Sequence, residues 1–390
     1  LVIISCLSRY LGTEGFGIYS FIFFYVGLFG ILTDMGLNTI LTRDMARDKA
    51  HEAIIFGNGI LIRFVLTLLT LMLACAIILF TDHPESTVRL VWLFAFVLFL
   101  SFRMITFRQV YDVPFQVRLK MGRLTGVNVL NELLTLGLIL WGIRIRASLS
   151  GIILIFVLAN LPGFIMSIAL SGRLIRPLFK PSLKICSSLI SEAFPVGLSG
   201  IFMSAYAGLG GVMLSMAKGD VETGYYGLGY RLAASLWIIP FAIMTSMFPR
   251  MSAHAKSSSE KLKKLYKDLL KTMVIIAIPI GLLGSLFAYK IVLLVGGREF
   301  SPSATIFSIL VWQVALYHLT ILFFFTLNAI GKQHLNSLNT GLMLVTNIIL
   351  NLILINRFGS LGASWALVLT EFQGALVGWY LVSREGRRAR

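Results

Sequence analysis

Apolar stretches long enough to cross a bilayer follow one another along almost the whole chain, and charge is confined to the short segments between them. Segments 147–172, 193–217, 301–331 and 335–356 contain no Asp, Glu, Lys or Arg. A helix needs about 20 apolar residues to span the hydrocarbon core. Only helices and closed barrels satisfy their backbone polar groups there, and these runs lack the alternation of a barrel strand. With 57% hydrophobic and 13% charged residues, too little polar surface remains for a soluble fold. The sequence predicts an all-α polytopic membrane protein.

Spans are expected near 1–10, 17–42, 53–80, 88–110, 124–142 and 149–172, and then near 190–217, 224–249, 270–293, 302–327, 337–356 and 361–382. Assigning alternate connections to opposite sides sorts the basic residues. One side collects Arg43, Arg47 and Lys49, then Arg118, Lys120 and Arg123, then Arg173, Arg176, Lys180 and Lys184, and finally the tail with Arg384 and Arg387. The other side holds fewer, among them Arg9, Arg89, Arg144, Arg146 and Lys218. The positive-inside rule then puts both termini in the cytoplasm. The first span begins at Leu1 close to its outer end, so it is expected to be truncated.

The net charge of +17 follows this loop-by-loop distribution. It forms no motif and no aromatic platform that would read bases, so nucleic-acid binding is not expected. The most basic connection, 250–271, sets Lys261, Lys263, Lys264, Lys267 and Lys271 around Leu262, Leu265, Leu269 and Leu270. That spacing predicts a basic amphipathic helix lying on membrane lipids of the anionic inner leaflet, or simply an inner connector obeying the charge rule. Cys6, Cys75 and Cys186 are scattered, and the five histidines lie far apart. Neither set makes a metal pattern, and no cofactor is implied.

The chain also repeats itself. Gly12-Thr-Glu-Gly-Phe-Gly-Ile-Tyr19 matches Gly219-Asp-Val-Glu-Thr-Gly-Tyr-Tyr226 without gaps, placing Gly12, Gly17 and Tyr19 on Gly219, Gly224 and Tyr226. In the same register Arg43 falls on Arg250. The match separates the chain by six expected spans, so the halves share an orientation. They are expected to form two six-helix lobes, 1–185 and 186–390, around a central cavity on an axis along the membrane normal. Extended backward, the register implies that roughly 15–20 residues of the first span are absent.

Several passages resemble a known family. Ser8-Arg-Tyr-Leu-Gly-Thr-Glu-Gly-Phe-Gly-Ile-Tyr19, Leu32-Thr-Asp-Met-Gly-Leu37 and Arg43-Asp-Met-Ala-Arg47 resemble the opening of Wzx-type polysaccharide repeat-unit flippases. These belong to the multidrug/oligosaccharidyl-lipid/polysaccharide exporter superfamily. The stretch 226–250 with Arg231, Pro240 and Pro249 is similar to their eighth helix. Leu327-Asn-Ala-Ile-Gly-Lys-Gln333, Asn347 with Asn351, and Arg357-Phe-Gly-Ser-Leu-Gly-Ala363 are similar to their last third. The resemblance implies a flippase of the bacterial inner membrane. It would carry an undecaprenyl-diphosphate-linked glycan from inner to outer leaflet by alternating access, alongside a polysaccharide polymerase and a chain-length regulator.

Such a substrate needs a cationic site for its diphosphate. An ionisable residue inside a span costs at least ~2.5 kcal/mol to insert and usually faces a cavity or a partner. Arg231, Arg63, Arg103 and Arg9 are therefore the candidate substrate-binding residues, with Arg231 first because it matches a cavity arginine of the related flippases. A guanidinium stays charged and offers a planar fork to phosphate oxygens. Alternatively, these arginines snorkel to the interface or pair with internal acids. Those acids, Asp34, Glu132 and Glu371, either neutralise arginines or couple transport to H⁺ or Na⁺. Asn347 and Asn351 share one helix face and suit interhelical hydrogen bonding. A multidrug or metabolite exporter of the same superfamily and a lipid II-type flippase are the rival readings. A membrane enzyme is disfavoured because the outer connections are short and carry no catalytic cluster beyond Asp82, His83 and Glu85.

Overall fold

The computed structural model describes residues 1–388. It is helical, with no strand among the described residues. The helices are α1 (Val2–Gly30), α2 (Leu37–Arg47), α3 (Glu52–Ile77), α4 (Glu85–Ala95), α5 (Val97–Leu100), α6 (Val113–Val117) and α7 (Met121–Arg144). They continue as α8 (Leu149–Leu158), α9 (Leu161–Leu174), α10 (Leu183–Ala234), α11 (Ile238–Ser257), α12 (Ser259–Gly296), α13 (Ser303–Ala329) and α14 (Gln333–Arg388).

Eight helical runs among the described residues are long and apolar enough to cross a membrane. Three of them, Val2–Arg47, Gly197–Ala255 and Gln333–Gly386, have 46, 59 and 54 residues. Each contains a glycine at which two helices meet in a conformation that L-residues rarely adopt: Gly12 (φ 65°, ψ −175°), Gly219 (φ 78°, ψ −171°) and Gly359 (φ 56°, ψ −130°). At the last two the chain doubles back. Asn347 Nδ2 donates to Thr370 Oγ1 at 3.1 Å and Asn339 Nδ2 to the Gly374 carbonyl at 3.0 Å, which sets the limbs of α14 side by side and antiparallel. Gly210 likewise lies against the Tyr226 hydroxyl across the Gly219 turn. The two glycines that the internal repeat aligned, Gly12 and Gly219, therefore share one backbone conformation. Twelve crossings follow only if each limb of these three runs and the interrupted segment 85–117 count as one; the helices by themselves establish eight.

The chain divides into two compact units: residues 1–21 with 205–390, and residues 22–204. Residues 1–21 thus group with the C-terminal half, a division by contacts rather than by the internal repeat. In the first unit the turns are clamped by charge. Lys218 Nζ donates to the Asn356 carbonyl at 3.0 Å, and Glu222 Oε2 accepts from the Ser360 amide at 3.0 Å. The two side chains thus satisfy the backbone on either side of the Gly359 turn, an orphan carbonyl at one helix end and an orphan amide at the next.

In the second unit Leu37, Leu41, Phe56, Phe107, Val110, Ile175 and Leu189 share one core. Two expected spans are interrupted there. Span 17–42 breaks after Gly30 into a 3₁₀ turn over Ile31–Thr33 and a left-handed pair, Met35 (φ 46°) and Gly36 (φ 86°), before α2 begins. A Cβ on Gly36 would lie 2.6 Å from the Ala193 carbonyl oxygen, so only glycine permits that approach. Span 88–110 breaks at Ser101–Thr106, between α5 and a 3₁₀ turn over Phe107–Asp112. Non-helical backbone at membrane depth survives only where protein or cavity water satisfies it.

The basic segment is continuous with the span that follows it. Ser258 caps α12, its hydroxyl accepting from the Lys261 amide at 3.3 Å. The helix then runs without a break from Ser259 to Gly296. Lys261 to Lys271 are thus the opening turns of a spanning helix rather than a separate helix lying along the membrane surface.

Candidate functional site

The ionisable residues singled out by depth fall in four separate places. Arg63 joins both breaks of the second unit. It sits on α3 with no exposed surface. Its Nη1 donates to Asp34 Oδ1 at 2.6 Å and also to Asn38 Oδ1, while Nη2 donates to the Thr106 carbonyl at 2.6 Å. Asp34 itself organises the first break, accepting from the Asn38 amide at 3.1 Å and the Gly36 amide at 3.3 Å. The second break is closed by Thr106 Oγ1 to the Ser101 carbonyl and by Gln109 Nε2 to the Met104 carbonyl. A planar guanidinium reaches acceptors on two chains at once, which an ammonium does less well. In this conformation Arg63 is a staple and has no face turned to a ligand.

Arg103 lies in the second break and pairs with Glu132 of α7. Its guanidinium also stands 5.1 Å from the Phe102 ring centre and 4.9 Å from that of Phe156. Arg108, which depth alone did not single out, is fully buried and stacks on the same Phe102 ring at 5.1 Å. Its Nε donates to Ser167 Oγ at 3.2 Å and its Nη2 to Asn128 Oδ1 at 2.9 Å. Its position near the expected inner end of a span hid it. The usable signal was its spacing from Arg103 on the same interrupted segment.

In the first unit Arg9 serves a helix end. It donates to the carbonyls of Leu294 at 2.6 Å, Val295 at 3.2 Å and Leu293 at 3.4 Å, the last turn of α12. Cations suit that position because they complement the helix dipole and satisfy orphan carbonyls. Arg231 is different. It lies on the second limb of α10, partly exposed, with its guanidinium 4.9 Å from the Tyr19 ring centre. Of the four candidate arginines it is the one that combines membrane depth, a rigid helical mount and an accessible surface.

Glu371, on the second limb of α14, is completely buried. Its Oε2 accepts from Gln313 Nε2 at 2.8 Å and from the Tyr206 hydroxyl at 3.0 Å. Gln313 Oε1 in turn accepts from Trp237 Nε1 at 3.1 Å, and the Trp237 ring meets Tyr230, the neighbour of Arg231, edge-on at 5.6 Å. The ion pairs found among the described residues do not include Glu371. The carboxylates thus divide: Asp34 and Glu132 neutralise arginines, and Glu371 rests on neutral donors. Gln313 and Tyr206, the residues that hold it, are uncharged and gave no signal in a search for charge. Asn351 Nδ2 donates to Asn347 Oδ1 at 2.8 Å, so these two asparagines bind one another and, through Asn347, Thr370.

Long apolar helices, interrupted spans and charges buried between them describe a polytopic membrane transporter, and similar solved structures have the same fold. An inward-facing multidrug-resistance MATE transporter of the MOP superfamily aligns with a TM-score of 0.75 at 15% identity, over 98% of this chain and 94% of that one. The lipid II flippase MurJ in an inward closed conformation aligns at 0.73 and 13% identity, over 98% and 85%. The chain belongs to the polysaccharide biosynthesis protein family, whose profile matches residues 1–255, and the MatE profile matches residues 195–353. A "Probable low-salt glycan biosynthesis flippase" of Haloferax volcanii is 23% identical over 97% of this chain and 83% of its own length. A Shigella flexneri protein described as "Putative O-antigen transporter" is 24% identical over 97% and 92%.

Proposed function

We propose that this transporter is a flippase for undecaprenyl-diphosphate-linked oligosaccharide repeat units. It moves them from the inner to the outer leaflet of a bacterial inner membrane, with both termini in the cytoplasm. The family and the two relatives support glycan-lipid transport. The observation that carries the substrate reading is Arg231, a partly exposed arginine at membrane depth on a helical limb. A fixed cation favours a diphosphate over the organic cations taken by many multidrug exporters. The lobes 1–185 and 186–390 would rock to expose this site to each side in turn.

A substrate bound equally well in both states shifts no equilibrium, so the cycle needs a second input. Glu371 is the proposed coupling group for H⁺ or Na⁺. Its carboxylate is buried on neutral donors, so gain or loss of a cation changes the local charge without breaking an ion pair. Asp34 and Glu132, held by arginines, keep the fold charge-balanced instead. A polysaccharide polymerase and a chain-length regulator would act on the product at the outer leaflet.

The test is translocation of a fluorescent undecaprenyl-diphosphate oligosaccharide in proteoliposomes, with an imposed H⁺ or Na⁺ gradient. Arg231→Ala is expected to abolish transport while the protein stays monodisperse. Glu371→Gln is expected to remove the gradient dependence. Equal transport by wild type and Arg231→Ala would remove the assigned diphosphate site. Efflux of a cationic dye with no glycan transport would place the chain with the drug exporters.

A further inference from the structure

The internal repeat reappears as a contact. Gly17 lies so close to the backbone of Asp220 that a Cβ would overlap its carbonyl oxygen. A Cβ on Gly224 would likewise lie only 2.2 Å from the carbonyl oxygen of Thr13. The register that aligns Gly12 with Gly219 also aligns Thr13 with Asp220 and Gly17 with Gly224, so the two contacts are copies of one another. A Cβ on Gly224 would also stand 3.3 Å from the Gly17 amide nitrogen, and one on Gly227 would stand 2.6 Å from the Cβ of Ser20, its own repeat mate. The limbs that follow Gly12 and Gly219 therefore run parallel in direct backbone contact, mate facing mate, on the axis of the repeat. Small residues at a crossing are what allow membrane helices to approach this closely.

We infer that this Gly17–Gly224 crossing is the outer gate, a seal made by backbone rather than by side chains. The inference rests on the flippase reading and on the orientation given by the positive-inside rule. The crossing lies within the first two turns after Gly12 and Gly219, at the outer end of two limbs that descend from those turns. While they touch, nothing passes between them. A head group can leave outward only when Gly17 parts from Asp220 and Gly224 from Thr13. A seal without side chains leaves nothing to rotate aside, so it opens by whole-limb movement and closes only if both positions stay glycine.

The first test reads accessibility and uses no substrate, so its failure is separate from failure of the flippase reading. In a background with Cys6, Cys75 and Cys186 replaced by serine, Ser20→Cys is the reporter, because Ser20 is fully buried against Gly227. A membrane-impermeant maleimide added from outside is expected to label it slowly. With Gly17→Val or Gly224→Val the rate should rise at least ~10-fold, since the closed state loses its contact and the population shifts to the open one. Gly122→Val, at a position with open space around it, should change nothing. Unchanged labelling in monodisperse valine variants would overturn the gate. Should those variants fail to fold, Ser20→Cys/Gly227→Cys serves instead. Its Cβ positions need to separate by only ~1 Å to reach disulfide geometry. Oxidation is expected to lock the crossing and stop lipid-linked glycan transport until a reductant is added. A disulfide that forms and leaves transport intact would overturn the inference.

Discussion

Removing the Arg63 side chain tests whether the two broken spans are held by one residue. Arg63→Ala deletes a guanidinium with no solvent exposure that bonds to Asp34, Asn38 and the Thr106 carbonyl. Asp34 is left with 15% side-chain exposure and no counter-charge. Breaking a buried pair by removing one partner costs about 3–5 kcal/mol, because the remaining charge stays desolvated. The Thr106 carbonyl, on a segment with no helical ladder of its own, adds the cost of an orphan acceptor, about 1–3 kcal/mol. Part of this is recovered if lipid headgroups or water reach Asp34, so the net expectation is ~3–5 kcal/mol. In a domain of ~150–250 residues each kcal/mol moves the midpoint by ~2–4 °C, which predicts a fall of roughly 6–20 °C. The assay is thermal unfolding in detergent, followed by loss of the monodisperse species. The double variant Arg63→Met/Asp34→Leu, which removes both charges, should unfold at a higher temperature than Arg63→Ala alone. A midpoint for Arg63→Ala equal to wild type, or a double variant worse than the sum of its singles, would refute the staple.

Asn58 should act as a second strap. Its fully buried amide donates to the Ile54 and Lys180 carbonyls and accepts from the Ser182 amide at 3.0 Å. Asn58→Ala should therefore destabilise by about 2–3 kcal/mol and speed proteolysis between residues 175 and 183. Gly219→Ala places a Cβ in a region of φ and ψ that costs ~1–3 kcal/mol, visible as a lower unfolding midpoint, whereas Gly126→Ala, in open space, should not lower it. Arg9→Ala uncaps α12 and should increase amide hydrogen exchange over residues 293–300, with a stability loss of ~0.5–2 kcal/mol. Arg9→Lys should restore part of it.

The glycine turns were legible because a single residue type marks them. Gly12 and Gly219 aligned with few other identities around them, yet both adopt the same backbone angles. The spans themselves were legible from hydropathy. Their interruptions were not, because Ser101-Phe-Arg-Met-Ile-Thr106 is composed much like the helix around it. What opens the helix there is Arg63, which sits on α3 and satisfies a carbonyl that has left its ladder. Depth found Arg63, Arg103, Asp34 and Glu132 but could not say which acid meets which base, since partners come from different helices. It could not find Gln313 or Tyr206 at all, because neutral polar side chains in a span leave no mark in charge patterning. The basic run 261–271 read as an amphipathic helix, and the pattern was sound. Only the continuity of α12 showed its direction.

The staple also constrains how the protein is made. Arg63 leaves the ribosome 29 residues after Asp34 and 43 residues before Thr106. When α3 reaches the translocon, one of its acceptors has already been synthesised and another has not. A lone arginine at a span centre enters lipid at a cost of ~2.5–3.5 kcal/mol, so α3 is poorly suited to partition by itself. The nascent chain has reason to keep this helix beside the preceding one, delaying release into the bilayer until the interrupted segment arrives. Substituting Asp34 should then reduce the amount of protein inserted during synthesis as well as the stability of what is inserted.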